Sequence, residues 1–148
     1  MIPLLLLFFG FAAADPGTRP PTPDEALVPG IIDSINDTMK DVLSAPSTVR
    51  VGEDFKVTIT TFGGGCEREG DTTVIMSAIG ANVIVYDITA ATNPKVVCTA
   101  VIKRLPHTVT LRFEKPGQAL IRVWGRKIGG GTDPFGAPAV LEHRVTIK

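Results

Sequence analysis

Thr48-Val49-Arg50-Val51-Gly52-Glu53-Asp54-Phe55-Lys56-Val57-Thr58-Ile59-Thr60-Thr61-Phe62 repeats with a period of two. Val49 and Val51 alternate with Arg50. Gly52-Glu53-Asp54 then turns the chain, and Phe55, Val57, Ile59 and Thr61 alternate with Lys56, Thr58 and Thr60. Successive side chains of a strand point to opposite faces, so this pattern predicts two strands, each with one face turned to a core.

The same pattern continues towards the C-terminus. Gly63-Gly64-Gly65-Cys66-Glu67-Arg68-Glu69-Gly70-Asp71 reads as a loop. Residues Thr73 to Ala78 and Asn82 to Thr89 are β-branched and apolar around Gly80, and form either a hairpin or one long bent strand. Further strands are expected over Val96 to Leu105, His107 to Phe113, Gln118 to Trp124 and Val140 to Ile147. Lys115-Pro116-Gly117 and a glycine loop from Gly129 to Pro138 separate the later ones. Between Ile31 and Leu43 the apolar spacing fits a helix face as well as two short strands around Asn36-Asp37, and strands are the preferred reading. Seven to eight short strands between Gly, Pro and Asp turns predict an all-β, antiparallel sandwich.

The N-terminal end carries different signals. Ile2 to Ala14 is uncharged and apolar apart from Gly10, and ends in Ala12-Ala13-Ala14, so 1–14 reads as a cleaved signal peptide, too short for a permanent span of about 20 residues. Residues 15–30 hold Pro16, Pro20, Pro21, Pro23 and Pro29 and read as an extended linker, leaving 31–148 as one domain. The expected location is secreted or periplasmic, with no membrane span after cleavage. Fifteen basic and fifteen acidic residues balance, and the basic ones are scattered, which argues against a nucleic-acid partner. In an exported chain Cys66 and Cys98 are most simply one disulfide, worth roughly 3 to 4 kcal/mol through loop closure.

Val49-Arg50-Val51-Gly52 before Phe55-Lys56-Val57-Thr58-Ile59, the cysteine in the next loop, Cys98-Thr99 opening a later strand, and Phe113-Glu114-Lys115-Pro116-Gly117 leading into Ile121-Arg122-Val123 together resemble small exported bacterial domains of immunoglobulin-like type. The resemblance covers Thr48 to Gly125 and implies a fold and a compartment, with no activity attached. It departs from antibody domains in that neither cysteine sits mid-strand facing the core, and Trp124 is not placed to pack on a disulfide.

The loops after Phe62, Thr89 and Trp124 are expected to share one end. Cys66 and Cys98 then meet only if Gly80 lies in a hairpin. That end becomes the expected binding surface, with Gly64, Glu67 and Arg68 in the first loop and Gly130, Asp133 and Phe135 in the last. The expected role is a non-enzymatic binding or structural module of the cell envelope, and the expected partner an envelope or extracellular protein or glycan. No cofactor, metal or catalytic motif is read: G-x-S-x-G and H-E-x-x-H are absent, and Glu67, Glu69 and Asp71 lack the spacing of a calcium loop. His107 and His143 are expected at turn or surface positions. A small enzyme or metal-handling protein using the two histidines is the alternative. Asn36-Asp37-Thr38 matches a glycosylation sequon.

Overall fold

The computed structural model describes residues 18–34, 41–129 and 136–148, all of them strand, turn or extended chain. The apolar segment 1–14, the sequon at 36–38, and Gly130, Asp133 and Phe135 lie outside the described residues. Ten strands occur in the described residues: β1 (Ala26–Pro29), β2 (Ile31–Ser34), β3 (Leu43–Ser44), β4 (Thr48–Val49), β5 (Phe55–Gly63), β6 (Glu67–Ser77), β7 (Gly80–Thr89), β8 (Lys103–Leu111), β9 (Gly117–Ile128) and β10 (Ala137–Ile147).

The strands form one open hydrogen-bonded sheet that folds over on itself. One arm runs β6-β7-β9-β10, with β4 added to the end of β10; the other is the β5-β8 pair with β3 on its far side. Odd-numbered residues of β5, β7, β8 and β9 face inward, so Val57, Ile59, Val83, Val85, Val109, Leu111, Ile121 and Val123 meet in one buried cluster. Each such side chain stabilises the fold by about 1.5 to 3 kcal/mol relative to exposure. The period of two in the sequence is this division between core and water.

Pairing is mixed, where antiparallel pairing throughout was expected. β7 and β9 are parallel, as are β2 with β9 and β4 with β10. Two parallel neighbours need a crossover. Here β8 is that crossover: the chain leaves β7, runs down the opposite arm as β8, and returns beside β7 as β9.

Several boundaries also move. The stretch read as a linker contributes Ala26–Pro29 to the sheet, pairing antiparallel with Tyr86 to Thr89 of β7. Gly30 then carries the chain across: its N–H donates to Val85 O (2.8 Å) and its C=O accepts from Arg126 N–H (2.8 Å), so β2 continues on β9. Of the stretch 31–43, Ile31–Ser34 is a strand, β2; 35–40 lie outside the described residues, and β3 begins only at Leu43. Glu67 to Asp71, expected in a loop, begins β6, because only Gly64 to Cys66 are needed for the turn.

Val96 to Leu105 and His107 to Phe113, expected as two strands, are instead an exposed loop through Ile102 followed by the single strand β8. Pro106 does not break β8. Thr60 turns its N–H away from β8 to Val42 O, so Thr60 and Pro106 form a non-hydrogen-bonded pair and the missing proline donor falls on the free edge. The hairpin at Gly80 is present, with Ser77 opposite Gly80.

Candidate functional site

Strand registers place the end of β5 beside the start of β8 (Gly63 opposite Lys103), the start of β6 beside the end of β7 (Glu67 opposite Thr89), and the end of β9 beside the start of β10 (Lys127 opposite Ala137). The ends of β5, β7 and β9 and the starts of β6, β8 and β10 therefore lie at one end of the fold; the end of β9 falls there because residues 96–113 supply the single strand β8, where two reversing strands would have sent it to the other end. Cys66 and Cys98 are bridged there, with Cα atoms 5.1 Å apart. Gly65 permits the contact: a Cβ on it would lie 1.9 Å from Thr99 Oγ1, and its N–H donates to Thr99 O. The glycine triplet thus serves close packing of one loop on another, beyond mere loop flexibility.

Just below this end the inward ladder turns polar. Val57-Ile59 of β5 is followed by Thr61, Val83-Val85 of β7 by Asp87, and Val109 of β8 is preceded by His107; all three polar side chains are buried. His107 Nε2 lies 2.8 Å from Asp87 Oδ1 and 3.1 Å from Thr61 Oγ1, and the Thr61 hydroxyl is 2.9 Å from the same Asp87 oxygen and 3.3 Å from Leu105 O. A carboxylate only accepts, so Nε2 carries a proton and donates to Asp87. Among the described residues the buried Asp87 Oδ2 has no hydrogen-bond partner. Beside it, burial lowers the Arg126 pKa from its ordinary value, and the Asp87 and Glu67 carboxylates oppose that shift.

His107 was expected at a turn or surface and is instead a core histidine, because β8 runs unbroken through Pro106 and brings residue 107 inward. The cluster does not form a nucleophilic relay. In such a relay the carboxylate and the hydroxyl occupy opposite nitrogens of the imidazole. Here both address Nε2, and Thr61 is fully buried. His143, on β10, donates from Nε2 to Pro46 O (3.1 Å); it lies opposite Ile121, level with Ala81 near the start of β7, whereas His107 sits at Asp87 near the end of β7, so the structure does not bring the two histidines together. Among the described residues no group of three His, Cys, Asp or Glu is placed to hold a metal ion.

Of the sequence-predicted binding residues, Gly64 lies in the turn and donates its N–H to Glu67 Oε2 (2.6 Å). Glu67 Oε1 also accepts from the Thr89 hydroxyl (3.0 Å), and Glu67 O accepts from Lys103 Nζ. Arg68 is engaged by the N-terminal segment: Nη2 donates to Glu25 Oε2 (2.9 Å) and Pro20 O, and Nη1 to Arg19 O (3.0 Å). Arg68, the Thr22 N–H and Arg19 hold the Glu25 carboxyl at about 2, against an ordinary 4.5. Glu67 and Arg68 are thus internal fasteners.

The surface that remains is the tethered loop itself. Val97 is 93% and Ile102 83% exposed, with Val96 and Val101 also exposed around Cys98. Their β-branched chemistry predicts a strand over Val96 to Leu105; because the chain forms a loop there, these side chains are left in water. Trp124 also faces outward, donating its indole N–H to Asn82 Oδ1 (3.0 Å), away from the disulfide as expected. Comparison of the chain with protein-family models, curated proteins and solved structures finds no match.

Proposed function

We propose that the chain is an exported, non-enzymatic binding module of the cell envelope, secreted or periplasmic, whose contact surface is the disulfide-pinned loop 90–102. The observation that carries this reading is the pair Val97 and Ile102, both exposed by more than four-fifths on either side of a covalently fixed cysteine. Aliphatic side chains clustered in water mark contact surfaces, and fixing the loop beforehand lowers the ordering cost of binding. With no aromatic ring among Val96, Val97, Val101 and Ile102, the surface suits the apolar patch of a protein better than a glycan. The apolar leader 1–14 and the cysteine pair support export. An immunoglobulin-like relationship is supported by the all-β arms and the loops gathered at one end, while the parallel β7 and β9 depart from that family's antiparallel sheets.

The test places a photo-crosslinking residue at position 97 of the exported chain in its host, with the same residue at Gln118, at the opposite end, as the control. A discrete adduct from position 97 that is lost on Ile102→Ser is expected. Equal labelling from both positions would remove the site. Peptide sequencing of the exported protein should begin at Asp15.

A further inference from the structure

We propose that two copies of the chain join edge to edge through β6, antiparallel and centred on Val74. Among the described residues β6 is an edge strand whose backbone ladder is made with β7 alone. Which of its backbone groups are free follows from bonds made by β7. Leu120 N–H donates to Ile79 O and Gly30 N–H to Val85 O, so odd-numbered residues of this stretch direct their backbone groups away from β6. Gly80, Asn82 and Ile84 therefore exchange bonds with Ser77, Ile75 and Thr73, their register partners. Thr72, Val74 and Met76 are left pointing N–H and C=O outward. Their chemistry specifies what covers them, because a row of alternating donors and acceptors is completed by another extended strand.

The open stretch has fixed limits. At one side Ala78-Ile79 turn the chain. At the other the N-terminal segment and Lys103 lie against β6: Thr18 donates to Asp71 Oδ1, Arg68 holds Arg19 O and Pro20 O, and Lys103 holds Glu67 O. What remains, Thr72-Thr73-Val74-Ile75-Met76-Ser77, has no charge and no proline. The other long edges are guarded. β8 carries Lys103, Arg104 and Pro106, and β10 carries Pro138, Glu142 and Arg144.

The strand that best fits this window is the window itself, reversed. With Val74 opposite its own copy, Thr72 faces Met76 and Met76 faces Thr72, so each outward residue meets an outward residue and every such pair exchanges two bonds. Thr73 meets Ile75, and Asp71 meets Ser77. The acids Glu67 and Glu69 fall beyond the partner's hairpin turn, so no like charges are opposed. Val74, packed against the core, and Met76, 42% exposed on the same face, would form an apolar seam continuing the core across the two-fold axis, while Ile75, 55% exposed, is covered from the other face.

Sedimentation equilibrium of the mature, oxidised chain over a wide concentration range tests this. A mass rising to twice the monomer is expected. Met76→Pro removes an outward N–H and no bond to β7, so it should give monomer with unchanged circular dichroism. Thr73→Glu with Ile75→Glu sets acids opposite each other and should also give monomer; mixing it with Thr73→Lys/Ile75→Lys should restore the dimer, which separates loss of pairing from loss of folding. A wild-type chain that stays monomeric at its highest soluble concentration overturns the proposal, as does a dimer that survives both variants.

Discussion

Single residues at the polar end of the core set sharp requirements. A Cβ on Gly30 would lie 2.4 Å from Thr61 Cγ2 and 3.1 Å from Asp87 Oδ2. Gly30→Ala should therefore destabilise by about 1 to 3 kcal/mol, the usual cost of forcing extra volume into packed surroundings, measured by urea unfolding. Asp87→Ala removes the acceptor of His107 and the counter-charge beside Arg126, and breaking such a buried set costs roughly 3 to 5 kcal/mol. A loss below ~1 kcal/mol in the same assay would mean that the cluster contributes little. Glu25 sets a pH dependence. Its folded pKa of about 2 lies below its ordinary 4.5, so its contribution is full above 4.5 and is lost as the pH falls towards 2. Limited proteolysis of the N-terminal segment should accelerate across that interval in the wild type, and Glu25→Gln should flatten the change. None of these requirements was legible residue by residue: Gly30 stood in a proline-rich run, and His107 after a proline.

At the scale of elements, the disulfide and the loop it pins form one unit. Cys66 belongs to a turn and Cys98 to an exposed loop, so the bridge braces one end of the fold and lies outside the core. Reduction should lower stability by about 3 kcal/mol through the freedom returned to the unfolded chain. It should also release the loop before the rest unfolds. Tryptic cleavage at Lys95 that appears on reduction, at a temperature where near-ultraviolet dichroism is unchanged, is the expected sign. Strands with a strict period of two were readable, β5 above all, because one face of each meets the core. The boundary between loop and β8 was not readable. Val96, Val97, Val101 and Ile102 have strand-like side chains, but the chain there must cross from one arm to the other while held at Cys98.

Across the whole molecule, the N-terminal stretch 26–34 acts as a seam, pairing β1 with β7 and β2 with β9 where those two strands part. A chain beginning at Gly30 would uncover the edge of β7 from Tyr86 to Thr89. It should show a markedly lower Tm and concentration-dependent light scattering, whereas a freely tolerated truncation would return the segment to the role of a linker. The sequence alone determined that this protein is all-β, that its glycine turns separate one-sided strands, and that Cys66 and Cys98 meet across a hairpin. Those properties follow from local periodicity and from the number of cysteines. Only the tertiary structure decided that β7 and β9 run parallel, that His107 is buried with Asp87 and Thr61, and that a proline-rich approach becomes a strand. Each depends on which distant backbone supplies a hydrogen-bond partner, and a pattern of alternating side chains says where a strand faces without saying what lies beside it.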